Sequence, residues 1–372
     1  MAMKFIPIAK PILIGKEKEY IEQCVKTGWI SSQGEFIDKF EQAFAKYCGV
    51  KYGVANANGT TALHLALAAL GIGPGDEVIA PDLTFISPVN AIIYTGAEPV
   101  LVDADKETWN IDIDKIEKEI TQKTKAIIVV HLYGHPSRLD KILEIAKKYN
   151  LFVIEDCAEA HGAEYLGGKI GGFGHVSCFS FYGNKIITTG GGGMCLTNYK
   201  KLADKMRILL NHGMSPKKRY WHDQIGFNYR LTNIQAAIGL AQLEQIHKFL
   251  EEREQISAAY NRHLKDIDGL ILPPSKDWAK PVCWLYSIII NRKEPKIRDR
   301  LIEGLRENNI DARPFFYPIH KMPPYKKYLK ANQTFKTAEY LSKRGMSLPS
   351  YQALKKSDIK FICQTIKNVI SS

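Results

Sequence analysis

The sequence predicts an α/β fold with a mostly parallel central sheet, followed by a smaller α+β region. Two runs, Ala126–His131 (AIIVVH) and Leu151–Glu155 (LFVIE), are continuously apolar and rich in β-branched residues. Runs of that kind suit strands covered on both faces, as in parallel sheets. Between them, Leu139–Tyr149 has helical spacing, and the same strand–helix alternation begins upstream near Tyr52. The chain has 372 residues, 45% hydrophobic and 24% charged, which allows a large core and roughly two domains.

The elements follow in order. Residues 16–27 and 35–47 place Ile21, Val25, Phe36, Phe40 and Phe44 at helical spacing, joined by a turn-rich connector from Gly28 to Gly34. Tyr52–Ala57 reads as a strand, and Thr60–Leu70 as a helix entered through Asn58 and Gly59. Glu77–Ala80 and Pro99–Val102 read as strands. Ser177–Met194 reads as a short apolar strand, a turn holding Lys185, and four glycines, 190–193. The glycines let backbone approach a flat group closely or take positive φ. One long helix is predicted from Asn233 to about Glu252. Beyond it come helices near 255–266, 296–308, 335–343 and 356–369, a strand at Leu285–Ile290, and breaks at Pro273-Pro274 and Pro323-Pro324. The predicted division is 1–250 for the large domain, its N-terminal segment packing toward the small one, and 251–372 for the small domain.

Composition excludes several classes. The formal charge is +12, but the densest basic cluster, Lys217-Lys218-Arg219, is three residues long and no zinc-finger or RNP-type signature is visible. A diphosphate-bearing small substrate or a solvated surface accounts for the charge. Seven isolated cysteines without a CxxC pair point to a reduced, cytoplasmic protein. Lys4, Pro7, Lys10 and Pro11 interrupt the apolar residues of the first fifteen positions, so no signal peptide is expected, nor a membrane span. His131 and His135 are four apart, but Gly134 and Pro136 oppose a helix there, so no metal site is expected. GxGxxG and GxxxxGK[ST] are absent.

Four local features carry chemistry. Asn58-Gly59-Thr60-Thr61 enters a helix, where free N–H groups hold a phosphate or Asn58 simply caps. Asp156 closes a strand and suits either a cationic ring nitrogen or a cap. Lys185 follows a buried strand, so lost hydration favours its neutral, nucleophilic amine, unless it lies exposed in a hairpin. Ser180, five residues earlier, puts a hydroxyl within reach of the same phosphate. Phosphate site, strand-end aspartate and then lysine, in that order on an α/β chain, resembles the fold-type-I enzymes of pyridoxal phosphate.

The resemblance narrows with Gly28-Trp29-Ile30-Ser31-Ser32, ANGTTALHLAL (57–67), GDEVIAPDLTF (75–85), VIEDCAEAHGA (153–163), SFYGNKIITTG (180–190) and GFNYRLTNIQAAIGLAQLE (226–244). Together they are similar to the DegT/StrS-type sugar-nucleotide aminotransferases, from about residue 14 to 368. The stretch from Arg219 to Leu243 and RPFFYPIHKMPPY (313–325) look most like members that aminate C4 of a GDP-linked 4-keto-6-deoxymannose with L-glutamate. The resemblance implies that Lys185 carries the cofactor as a Schiff base and shuttles the proton, while Asp156 holds the ring nitrogen. It implies Phe85 stacked on the ring, Glu159 near the ring hydroxyl, and Gly59, Thr60 and Ser180 on the phosphate. Asn228 would reach the phosphate of a neighbouring subunit, making the active unit a homodimer. Trp29, Arg219, Tyr220, Arg313, Tyr317 and His320 are the expected substrate contacts. Gly191 stands where the family usually has glutamate. Two other readings stay open: a dTDP- or UDP-linked keto sugar as substrate, and a regulatory or nucleic-acid-binding protein on a retained enzyme fold.

Overall fold

The computed structural model describes residues 4–294 and 296–371. Met1, Ala2 and Met3, the start of the segment read as lacking a signal peptide, lie outside the described residues. The central sheet has seven strands in the order Tyr52–Asn56, Gly193–Thr197, Val176–Ser180, Phe152–Asp156, Thr124–Val130, Glu77–Pro81, Glu98–Val102. The last five run parallel. Gly193–Thr197 is antiparallel to both its neighbours. The continuous apolar runs are buried on both faces, as their composition required: Ile127, Ile128, Val129, Val153 and Ile154 are all inaccessible to solvent.

Local chemistry sets the helix ends. Helix Gly59–Leu70 begins with a reciprocal cap, in which Asn58 Oδ1 accepts from Thr61 N and Thr61 Oγ1 accepts from Asn58 N. It ends on Gly71 in the left-handed conformation, φ 82°. The pattern expected to be one helix from Asn233 to Glu252 is two, Asn233–Glu244 and Ile246–Leu264, because Gln245 leaves helical geometry at φ −101°, ψ 1°. No glycine or proline marks that break in the sequence. Helices Ser87–Tyr94, Ile113–Glu119 and Lys200–Leu209 were not anticipated. The first two are eight and seven residues long, too short for a clear period.

Two hydrophobic clusters form. The larger surrounds the seven-stranded sheet. The smaller gathers Ile256, Tyr260, Leu264, Ile288, Leu301, Ile362 and Ile366. Helix Ile246–Leu264 serves both, giving Ile246 and Phe249 to the first and Ile256, Tyr260 and Leu264 to the second. A four-stranded antiparallel sheet, ordered Leu270–Ile271, Tyr286–Ile290, Gly345–Leu348, Arg313–Pro314, backs the smaller cluster. The N-terminal segment reaches this lobe: Ile6 N donates to Asn309 O and Ile6 O accepts from Asp311 N, both at 2.9 Å. Among the described residues no helix is long and apolar enough to cross a membrane.

Candidate active site

The carboxyl ends of Tyr52–Asn56, Phe152–Asp156 and Val176–Ser180 lie at one edge of the sheet, where ligands gather in α/β folds. Asp156 ends its strand almost fully buried, its Oδ1 accepting from Ala158 N at 3.0 Å. Burial pushes its carboxyl up, while the Ala158 N–H and the Lys185 charge pull it back. Glu159, one turn on, is also buried, its Oε2 accepting from Tyr133 N at 2.7 Å. Burial raises it to about 7, against the pull of Lys185.

Lys185 sits in the turn after Ser180, its N–H donating to Tyr182 O at 2.9 Å. The side chain is half-buried rather than exposed on a hairpin. Burial lowers its amine, and the charges of Glu159 and Asp156 hold it up only in part. One amine and two carboxylates in a poorly hydrated space compete for protons, so each departs from its ordinary range.

At the phosphate cup the capping reading of Asn58 is observed, and it leaves the phosphate reading standing. The cap uses Thr61 N, so the first-turn N–H groups of Gly59 and Thr60 have no partner within the helix. Gly59 must be glycine: a Cβ there would lie 2.7 Å from Ser180 Cβ. Thr60 Oγ1 and Ser87 Oγ are 2.7 Å apart, which adds a second hydroxyl, Ser87, that the sequence reading missed although it stands two residues after Phe85.

The family model for DegT/DnrJ/EryC1/StrS aminotransferases matches residues 11–367. The chain belongs to that family. It is 49% identical over 370 residues to GDP-perosamine synthase of Escherichia coli O157:H7, covering 99% of this chain and 100% of the relative. It is likewise 49% identical to GDP-perosamine synthase of Caulobacter vibrioides, over 98% of both chains. Among solved structures it resembles S. venezuelae DesV, with a TM-score of 0.89 at 33% identity, covering 95% of this chain and 94% of that one.

Transamination in this family depends on pyridoxal phosphate, and the residues fit that group. Asp156 is a buried carboxylate with one N–H donor, suited to a cationic ring nitrogen. The Gly59–Ser180 approach and the free first-turn N–H groups suit its phosphate. The depressed amine of Lys185 suits its aldehyde.

The remaining expected contacts divide. Phe85 is 53% exposed, edge-on to Phe316 at 5.8 Å, and Phe316 stacks on Tyr133. Trp29 and Tyr317 are exposed, and the Trp29 carbonyl is held by Asn233 Nδ2 at 2.7 Å. Arg219 and Tyr220 lie on an exposed loop, the guanidinium 5.0 Å over its neighbour's ring. Arg313 is exposed, 3.6 Å from Asp311. Asn228 is exposed and accepts from Arg230 Nε and Nη2 at 3.2 and 3.0 Å. His320 departs from the expectation of a hexose or donor contact. It is buried, with Nδ1 2.7 Å from Asp82 and Nε2 3.1 Å from Glu339, so both ring nitrogens are spent inside the chain.

The four glycines are not equivalent. Gly190 has φ 80°, and a Cβ on Gly193 would lie 2.5 Å from the Asn58 carbonyl, whereas Gly191 faces open space. His131, Glu155 and Cys157 bring donor atoms within 4.8 Å of one another. The acceptor atoms of Glu155 and His131 are already committed, and Cys157 Sγ donates to Glu155 O. Glu155 accepts from Gly171, Phe173 and Gly174 N–H groups and from His131 Nε2, whose Nδ1 accepts from Ser137 N. This is a strut behind Asp156, and His131 N donates to Asp156 O.

Proposed function

We propose that the chain moves the amino group of L-glutamate to C4 of a GDP-linked 4-keto-6-deoxymannose, giving GDP-perosamine. Glutamate leaves as 2-oxoglutarate, and the sugar ketone becomes an amine. The observation that carries this reading is the half-buried Lys185 amine facing two buried carboxylates, in a chain similar over its whole length to GDP-perosamine synthases. Pyridoxal phosphate, when bound, supplies an aldehyde for the amine and a ring that withdraws electrons.

The chain's own residues supply the rest. Lys185 would hold the cofactor through its amine and, once freed, would take and return a proton as general base and acid. Burial lowers its proton affinity, which favours the neutral amine that both roles need. Asp156 keeps a positive charge at the ring nitrogen. Glu159 adds a nearby proton-holding group, oriented by Tyr133 N. Gly59, Thr60, Ser180 and Ser87 would anchor the phosphate, and Phe85 would lie against the ring. Trp29, Arg219, Tyr220, Arg313 and Tyr317 are assigned to the nucleotide sugar; their exposure supports a site completed from outside the chain. The same reading makes the protein a cytoplasmic homodimer, with Asn228 offered to a neighbouring subunit, and divides the chain near residue 250.

The test has two arms. Borohydride reduction of protein loaded with pyridoxal phosphate should leave a mass adduct on Lys185, and Lys185→Ala should lose both adduct and turnover. A panel of GDP-, dTDP- and UDP-linked 4-keto sugars should show turnover with the GDP substrate first. Absence of the adduct, or equal turnover in Lys185→Ala, overturns the mechanism. Preference for another nucleotide overturns only the substrate.

A further inference from the structure

Among the described residues the Lys185 ammonium makes no salt bridge; the contact it does make is with an indole, its Nζ 3.8 Å from the centroid of the Trp284 ring. Trp284 lies 99 residues downstream and is 4% exposed. The ring is held in place from several sides. Its Nε1 donates at 2.8 Å to the carbonyl of Asn184, the residue before the lysine. The Tyr133 ring lies nearly parallel to it, 13° between planes and 6.4 Å between centroids. Its carbonyl accepts from Arg253 Nη1 at 2.6 Å. A ring so constrained presents one fixed face to the amine.

We propose that Trp284 is a positioning residue for the Lys185 amine, whose indole face is where that amine rests as an ammonium whenever it is not joined to a carbonyl. The inference rests on the reading of Lys185 as the reacting amine. An amine released during turnover must stay close, carry a proton and return. The charged groups that act on it, Glu159 and Asp156, favour the ammonium, while burial and the Lys185 charge hold His161 down to about 3, so that ring adds no charge of its own. Neither carboxylate touches the amine. The indole face attracts a cation without forming a bond that must be broken for the amine to return, and holds it most strongly where water is scarce. It therefore offsets part of the burial that drives the proton off.

The test follows the proton affinity of Lys185 in the full-length chain, freed of cofactor, from the pH dependence of its acetylation read by peptide mass spectrometry. Trp284→Leu should move the midpoint down by about one pH unit. Trp284→Phe, which keeps a ring face but loses the Asn184 bond, should move it down by less. A purely structural tryptophan would lower the melting temperature and leave the midpoint where it was, which overturns the proposal, as does an upward shift. If Trp284→Leu does not fold, the Phe variant decides: a midpoint equal to wild type overturns the proposal. Borohydride trapping separates the two failures. An adduct on Lys185 in every variant with an unmoved midpoint sinks Trp284 alone, whereas no adduct in wild type sinks the reading of Lys185.

Discussion

A buried carboxylate with one hydrogen bond is an unfinished site, and Asp156 is one. Glu155, its neighbour in sequence, points to the opposite face and is fully satisfied, so alternation along one strand separates the reactive acid from the structural one. Asp156→Asn keeps the shape and removes the charge. Its turnover should fall by at least about 10²-fold, the scale of a lost acid–base or counter-charge contribution, while the melting temperature holds. Turnover within a few-fold of wild type would contradict the assignment. The glycines give a second residue-scale contrast. Gly191→Ala places a methyl in open space at a φ that side chains accept, so stability should rise by about 0.5 kcal/mol. Gly193→Ala drives a methyl into the Asn58 carbonyl beneath the phosphate cup, and should cost about 1–3 kcal/mol with weakened cofactor retention. Denaturant titration and spectral titration with pyridoxal phosphate measure the two effects. Lys185, Asp156 and Gly59 were legible because each sits at a strand or helix end whose pattern is local. Trp284 was not, since nothing within a hundred residues of it in sequence announces that it meets the lysine.

At the scale of elements, the lysine turn is gripped on both sides by residues from far along the chain. Trp284 Nε1 holds the Asn184 carbonyl, and Gln352 Nε2 holds the Ile186 carbonyl at 2.8 Å. Both grips converge on Arg253 of helix Ile246–Leu264, which donates to the carbonyls of Cys283, Trp284 and Ser350 and to Gln352 Oε1. Arg253 is buried and bonds only neutral acceptors, so its guanidinium acts as a multi-pronged donor that no other residue type reproduces. Arg253→Met should destabilise the protein by about 3 kcal/mol, through orphaned carbonyls. It should also reduce trapping of the cofactor at Lys185, though the substitution lies outside the pocket. Full trapping in a folded Arg253→Met protein would dissociate the grip from the lysine. The sequence reading ended one helix near Glu252 and began the next near 255, so it left Arg253 between them, inside what is one helix, Ile246–Leu264. The break at Gln245 that sets where it starts was not legible either, because glutamine is an ordinary helix former and no glycine or proline stands beside it.

At the scale of the molecule, the question is what ties helix Lys336–Arg344 and the chain before it to the central sheet. Asp103, at the end of the Glu98–Val102 strand, accepts from Ala338 N at 2.8 Å and so caps helix Lys336–Arg344 from across the chain. His320 makes the second seat, bridging Asp82 at the end of the Glu77–Pro81 strand to Glu339 on that helix. Burial works against a charge on His320, but the Asp82 and Glu339 bonds outweigh it and its proton affinity rises above the usual 6.5; Lys321 is the cation nearby that opposes it. A folded-state value above the unfolded one means the contribution is complete below pH 6.5 and fades as pH climbs through the raised value. The melting-temperature gap between wild type and His320→Gln should therefore be widest near pH 6 and narrow on the alkaline side. A gap that stays constant from pH 6 to pH 9 would show that the bridge holds by shape alone. If the gap does narrow, the tie between Asp82 and helix Lys336–Arg344 weakens with rising pH, and following the Lys185 midpoint in the His320→Gln background shows whether that loss reaches the lysine turn.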